Sequence, residues 1–109
     1  MINIKNNIEY LCKYHNCTFK LVKGKYSLYY RCPKYEFQYR KPGEKVCTNS
    51  VSLKALDQIG DEIEKLYNDG LLRVGHCGKY RNIKYKVQVV SRNYIEVLIT
   101  NMDKKKEDF

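Results

Sequence analysis

The chain has 109 residues and a formal net charge of +9, with 21 Lys and Arg against 12 Asp and Glu. A chain of this length folds as one domain, or as two subdomains that share a core. It has no run of about eighteen apolar residues, the length that a membrane-spanning helix needs. The N-terminus, MINIKNNIEY, lacks the apolar stretch and the cleavage site of a secretory signal, so we expect a cytoplasmic protein.

The charge is distributed unevenly along the sequence. Residues 1–50 carry ten Lys or Arg against three Asp or Glu, and residues 71–102 carry six against one. Residues 51–70 between them are acidic, with two against five. A basic excess of this size favours polyanionic partners, chiefly nucleic acid. The alternative is that the charge serves solubility alone.

The first half is predicted to form β-strands joined by tight turns. Segment 8–32 has the pattern of a β-hairpin, in which Gly24 supplies the positive φ of a turn. Polar residues with a Pro42-Gly43 turn predict a loop over 33–45. The predicted strands of this segment cover 8–11, 18–22 and 26–31.

The apolar period changes after Cys47 and predicts an amphipathic helix. Ser50 or Ser52 can cap its N-terminus, and Gly70 can follow its C-terminus. The same spacing is that of a short coiled-coil seam, so the helix over 53–66 either packs on its own sheet or docks a protein partner. The apolar positions are Leu53, Leu56, Ile59, Ile63 and Leu66.

Alternating apolar and polar residues predict strands in the last part of the chain. They cover 71–74, 83–89 and 94–100, as an antiparallel hairpin or a three-stranded meander. The predicted fold class is therefore α+β: a zinc β-ribbon followed by one amphipathic helix and this antiparallel unit. We expect a zinc-ribbon-like subdomain at 1–50, a helix plus antiparallel β subdomain at 51–102 that shares its core, and a disordered charged tail at 103–109.

Four of the five cysteines lie in the first half, which has few large aliphatic residues for a core. Such a segment needs disulfides or a metal, and reduced cytoplasmic thiols favour a structural Zn²⁺. Disulfides and unliganded thiols are the alternatives. The candidate ligands are Cys12, Cys17, Cys32 and Cys47. His15 is an alternative ligand. We favour Cys17 over it because a histidine in a turn is more often a polar surface residue than a metal ligand.

Residues 10–68 resemble the zinc β-ribbon of large serine recombinases. The resemblance rests on CTFKLVKGKYSLYYRCP, the variable basic loop after it, and CTNSVSLKALDQIGDEIEKL. Matching positions are Cys17, Tyr29-Tyr30-Arg31-Cys32, Cys47 and the helix from Leu53. The first cysteine pair is C-x4-C where that family has C-x2-C, and no recombinase catalytic domain is present. The resemblance implies a stand-alone ribbon of phage or mobile-element origin that contacts DNA.

Basic and aromatic residues alternate on the predicted hairpin and loop, where lysines and arginines can contact phosphates and rings can stack on bases. We therefore predict a small accessory or regulatory protein that binds nucleic acid, DNA rather than RNA. The alternative is a protein–protein adaptor, or an inhibitor of a host or defence protein. The candidate nucleic-acid-binding residues are Lys20, Lys23, Lys25, Tyr29, Tyr30, Arg31, Lys34, Arg40 and Lys41.

The dipeptide His76-Cys77 is the one place where a nucleophile and a base are neighbours. Adjacent strand residues point to opposite faces, so His76 would not serve Cys77 as a base. We expect Cys77 to be a buried or half-buried free thiol. With no other catalytic pattern we expect no enzyme, no small-molecule substrate and no membrane partner.

Overall fold

The computed structural model describes residues 3–102, which form two β-sheets and one α-helix. The predicted tail at 103–109 lies outside the described residues. Short 3₁₀ turns cover Ile4–Asn7, Pro33–Tyr35 and Phe37–Tyr39. The regular elements are β1 (Ile8–Cys12), β2 (Lys20–Lys23), β3 (Leu28–Arg31), β4 (Ser50–Ser52), α1 (Leu53–Asn68), β5 (Cys77–Tyr80), β6 (Ile83–Ser91) and β7 (Tyr94–Asn101). The predicted mixed α+β class is confirmed.

The larger sheet has four strands in the order β1-β7-β6-β5. Its strands β6 and β7 form the predicted antiparallel hairpin, and β5 extends this hairpin to a three-stranded meander. Side chains alternate across β6, where Tyr85 and Val87 are buried while Lys84 and Lys86 are exposed. One face of this sheet therefore belongs to the core, and the opposite face carries charge.

Helix α1 covers the inner face with the apolar stripe that the sequence predicts. Ile59 and Ile63 are fully buried in one cluster with residues of β6 and β7. Ser52 caps the helix, because its side-chain oxygen accepts a hydrogen bond from the Ala55 N–H at 3.1 Å. Gly60 allows close packing, since a Cβ there would lie 2.8 Å from the Tyr10 hydroxyl.

The smaller sheet has three antiparallel strands in the order β2-β3-β4. Only Val51 of its three strands is buried, and Tyr30, which pairs with it, packs half-buried against the core. Tyr29 and Arg31 are one position away on β3, so they point to the opposite face. The smaller sheet thus adds little apolar area to the core.

The structure does not confirm the predicted zinc-ribbon order. Segment 8–11 was expected to pair with 18–22, but a single bridge between Leu11 and Thr18 is all that joins them. Strand β1 instead adds to the larger sheet, parallel to β7. The cause is its inner row of Ile8, Tyr10 and Cys12, which packs on the same core as the meander.

Two local predictions were also wrong. Residues 71–74 form no strand, and the first strand of the meander begins at Cys77. Gly70 and Gly75 bracket this segment with φ of 72° and 94°, so the chain turns at both ends. Gly24 does not have positive φ; its lack of a side chain matters because a Cβ there would lie 2.8 Å from the ring of Tyr29. Within residues 3–102, no helix is long and apolar enough to cross a membrane.

Candidate metal centre and basic surfaces

Three thiols and one imidazole converge where the two sheets meet. The Cys12 Sγ lies 3.8 Å from the Cys47 Sγ and 3.8 Å from the His15 Nδ1. The Cys32 Sγ lies 3.6 Å from the same nitrogen. All four ligand atoms are within 4.8 Å of one another, and the three cysteines are buried. This set, the candidate metal centre, is a possible site for a metal ion.

Each ligand comes from the end of a strand or from a turn beside one. Cys12 is the last residue of β1, and Cys32 directly follows β3. The backbone N–H of Lys34 donates to the Cys32 sulfur, and that of Asn49 donates to the Cys47 sulfur. An N–H two residues after a cysteine stabilises negative charge on its sulfur. Each of these two N–H groups therefore favours the thiolate form of its own sulfur, against the stronger opposing effect of the neighbouring Cys12.

The imidazole of His15 is fixed from both sides. Its Nδ1 faces the sulfurs of Cys12 and Cys32, and its Nε2 lies 3.1 Å from the Glu44 Oε2. Glu44 in turn accepts a hydrogen bond from the backbone N–H of Lys41 at 2.8 Å. A carboxylate on the far nitrogen is the usual partner of a metal-ligating histidine.

Asn49 connects the candidate metal centre to the larger sheet. Its side chain is 2% exposed, and its Nδ2 donates to the Cys12 Sγ at 3.2 Å and to the Ile99 carbonyl at 2.8 Å. Its Oδ1 accepts from the backbone N–H of Asn101 at 2.9 Å. The sulfur of Cys12 is thereby held in place against β7.

The thiols share protons unequally. Hydrogen bonds from Cys32 and Cys47 hold the pKa of Cys12 far below its usual value, and the amide of Asn49 lowers it further. Hydrogen bonds with Cys12 raise the pKa of both partner thiols. The Cys12 thiol is therefore the most acidic of the three.

Cys17 lies outside the cluster. Its thiol donates to the carbonyl oxygen of His15 at 3.3 Å, which closes the turn instead of facing the other sulfurs. The donor set that the structure brings together thus contains the alternative ligand, His15, in place of the favoured one. Cys77 is exposed, against the expectation of a buried or half-buried thiol. His76 packs its ring on Tyr85, while Cys77 lines the opposite face of the sheet.

Several of the predicted nucleic-acid-binding residues are engaged within the protein. Lys20 forms an ion pair with Glu36 at 2.6 Å, and its ammonium lies 5.5 Å from the centre of the Tyr39 ring. The Lys34 ammonium is 3.7 Å from Glu44 beside the metal centre. The Arg31 guanidinium lies over the ring of Tyr35, 4.4 Å from its centre. These contacts hold the loop at 33–45 against the hairpin of β2 and β3.

Other residues of this region remain exposed. The ring of Tyr26 at the hairpin tip is 89% exposed, beside the ammonium of Lys25 at 5.4 Å. Phe37 is 85% exposed, with the Arg40 guanidinium 5.7 Å from its centre. We call this group the aromatic–basic arm: it comprises the exposed Lys23, Lys25, Tyr26, Phe37 and Lys41 and the half-buried Arg40 beside Phe37.

Tyr29 and Tyr30 of the predicted set are both half-buried. Tyr30 contacts the core, so its ring is not free to stack on a base. Tyr26 and Phe37, which the predicted site set omits, present their rings instead. Their positions at a hairpin tip and in a polar loop are the sequence signal for exposure.

Comparison with known proteins gives no matching family model, no similar curated protein and no similar solved structure. The resemblance to the serine recombinase ribbon therefore stays a prediction.

Proposed function

We propose that this protein binds nucleic acid through the aromatic–basic arm, which a structural zinc ion at Cys12, His15, Cys32 and Cys47 holds in place. Origin in a phage or mobile element is part of the proposal only through the resemblance of residues 10–68. The proposal has two parts, the metal and the ligand. Each has separate support.

The donor set supports zinc. Three thiols and one imidazole are a common structural zinc combination, with Zn–S bonds of about 2.3 Å and Zn–N bonds of about 2.0 Å. A tetrahedron with such bonds has edges of about 3.8 Å between sulfurs and about 3.5 Å between sulfur and nitrogen. The separations of 3.8 Å for Cys12 to Cys47 and 3.6 Å for Cys32 to His15 are close to these edges.

The observation that carries the nucleic-acid proposal is the exposure of two rings, Tyr26 and Phe37, each of which lies beside a basic side chain. At 85% exposure, the ring of Phe37 buries little apolar area and therefore contributes little to the stability of the fold. Phe37 lines a surface depression of about 510 Å³ together with Arg40 and Lys41. Rings stack on unpaired bases while neighbouring cations contact phosphates, so this arrangement suits a single strand.

The adaptor alternative has less support. It requires the apolar stripe of α1 to dock a partner, but Leu56, Ile59 and Ile63 of that stripe are buried in the protein's own core. Leu53, at 39% exposure, is the stripe residue that a partner could reach most easily. The nucleic-acid proposal uses rings and lysines that the fold leaves exposed.

The test is binding of a fluorescently labelled single-stranded oligonucleotide to the zinc-loaded protein, measured by anisotropy over a range of salt. We expect binding at about 50 mM salt that weakens steeply as salt increases. Phe37→Ala should weaken it about 5- to 150-fold, the effect of about 1–3 kcal/mol per stacked base.

Leu71→Ala is the matched control, because Leu71 is 62% exposed and apolar but lies outside the aromatic–basic arm. It should leave the affinity unchanged. The proposal fails if the wild-type protein binds no single strand at about 50 mM salt. It also fails if Phe37→Ala and Leu71→Ala bind alike.

A further inference from the structure

The outer face of the four-stranded sheet, opposite α1, carries a group of lysines. Lys79 lies on β5, and Lys84 and Lys86 lie on β6, all exposed. Lys13 directly follows β1, and its backbone N–H donates to Ile99 of β7. These four side chains, which we call the outer lysine face, surround an open depression of about 440 Å³.

The arrangement places like charges next to one another. Lys79 is directly opposite Lys84 in the register of β5 and β6, and Lys86 follows Lys84 on the same side of its strand. Like charges directly opposite on neighbouring strands destabilise a sheet. Within residues 3–102, none of the four lysines forms an ion pair. The fold therefore carries a repulsion that an anion would relieve.

Acidic residues of the same face are held away from these lysines. The Tyr94 hydroxyl, which has one proton to donate, lies 2.5 Å from the Glu96 Oε2 and 3.1 Å from the Glu9 Oε2, and Gln88 donates to Glu96 at 2.8 Å. The register places Glu96 two residues before Leu98, which is opposite Lys86. At one end of the face, the carboxylates are thus hydrogen-bonded by neighbouring side chains. At the other end, the positive charge of the lysines is not neutralised.

The floor of the depression is compatible with a phosphate backbone. Leu98 and Thr100 of β7 line it between the lysines, together with the exposed Cys77 of β5. The lysines ring it, while the aromatic residue among its lining side chains, Tyr85, is 2% exposed and turned to the core. The side chains that line the depression can therefore contact phosphates but present no exposed ring for stacking.

We infer that the outer lysine face is a second nucleic-acid contact, which binds the phosphate backbone of a duplex without reading its sequence. This inference rests on the proposed function and adds a site to it. Charge complementarity identifies the occupant, since lysines without carboxylate partners gain most from a polyanion that releases its counterions. The aromatic–basic arm and this face then differ in ligand: unpaired bases for one, duplex backbone for the other.

The test compares the salt dependence of duplex DNA binding for wild type and for the triple variant Lys79→Gln, Lys84→Gln, Lys86→Gln. Each lost phosphate contact should reduce the slope of log affinity against log salt by about 0.9. A matched triple variant removes the same charge from three exposed lysines elsewhere: Lys45→Gln, Lys54→Gln and Lys65→Gln. We expect a shallower slope for the first triple variant than for the second.

The outcomes separate the two claims. Equal slopes for the two triple variants, with normal single-strand binding, would overturn the inference and leave the proposed function standing. A wild-type protein that binds neither single-stranded nor duplex nucleic acid would contradict both the proposed function and the inference. A first triple variant that loses binding to phosphatidylcholine–phosphatidylserine vesicles, but keeps the duplex slope of the control, would assign the face to a membrane and overturn the inference.

Discussion

The imidazole of His15 and the amide of Asn49 define the candidate metal centre beyond its sulfurs. His15 faces two sulfurs of the donor set and contacts Glu44, while Asn49 contacts one sulfur and two backbone groups of β7. Partners of this kind orient a ligand before the metal binds, so less ordering is left to the binding step. Asn49 is the residue that does most to orient the sulfur of Cys12.

Asn49→Ala should therefore weaken both metal binding and folding. The variant removes a buried donor from the Cys12 sulfur and an acceptor from the N–H of Asn101. We expect a loss of about 1–3 kcal/mol in the free energy of unfolding and about 10- to 100-fold in zinc affinity. Urea unfolding of the zinc-loaded protein and competition with a chelator measure the two quantities.

Asn7→Ala is the control, because Asn7 is exposed at the end of a 3₁₀ turn. It should change neither quantity. Equal zinc affinity in the Asn49 and Asn7 variants would show that the hydrogen bond to Cys12 has no part in metal binding.

Of the four side chains that the structure brings together, the sequence indicates three as candidate ligands and the fourth, His15, as the alternative to Cys17. Cys12, Cys32 and Cys47 follow from spacing and poor core content. The choice between His15 and Cys17 depends on how the turn folds: Asn16 adopts a φ of 53°, and Cys17 pairs its carbonyl with the N–H of Cys12. A single residue in the left-handed conformation decides whether His15 or Cys17 faces the other sulfurs. The spacing of the cysteines and histidine along the sequence does not indicate that conformation.

At the scale of elements, the helix and the larger sheet are joined by a buried tyrosine. The Tyr85 hydroxyl donates to Glu62 of α1, and its ring packs on His76. Gly78 makes this possible, since a Cβ there would lie 2.3 Å from the Tyr85 ring. Burial and the hydrogen bond to Glu62 raise the pKa of Tyr85 above its usual range.

Tyr85→Phe should reduce the free energy of unfolding by about 1 kcal/mol at neutral pH. A folded-state pKa above the unfolded value means that this stabilisation is fully present below about pH 10 and is lost as the pH increases through the folded pKa. The difference between variant and wild type should accordingly shrink in alkaline solution. Urea unfolding at neutral and at alkaline pH measures it.

Tyr26→Phe serves as the control for that pair of measurements, because its hydroxyl lies on a ring that is 89% exposed. It should match wild type at both pH values. A Tyr85→Phe deficit that stays constant or grows above about pH 10 would contradict the raised pKa.

Elements with a complete periodic pattern were predicted well. Helix α1 and strands β6 and β7 show their apolar stripe or alternation over eight or more residues. The sequence predicts β1 as a strand but places it in the wrong sheet. The pattern of five residues indicates the strand conformation but not the strand with which it pairs. Its parallel pairing with β7 joins residues more than eighty positions apart, as with Ile8 and Ile95, and local sequence holds no signal for such a contact.

At the scale of the whole molecule, the candidate metal centre joins the two sheets. Cys12 ends a strand of the larger sheet, while Cys32 and Cys47 flank strands of the smaller one. The larger sheet has its own core beneath α1, whereas the smaller sheet buries a single strand residue, Val51. A metal would therefore stabilise mainly the smaller sheet and, with it, the aromatic–basic arm.

The predicted boundary at residue 50 falls at the start of β4. The helix and meander after it form the larger core, but β1 crosses into that sheet from the first half. The sequence indicated that the first half lacks core residues, which is why a metal was expected there. It could not indicate that one ligand, Cys12, would be anchored in the sheet of the second half.

The most direct test of this account is native mass spectrometry of the purified protein and two single variants. We predict one zinc ion per chain in the wild type and in Cys17→Ser, and no zinc in Cys32→Ser, because only the second variant removes a sulfur of the cluster. A wild-type protein without stoichiometric zinc, or a Cys17→Ser variant that loses zinc as fully as Cys32→Ser, would contradict the account.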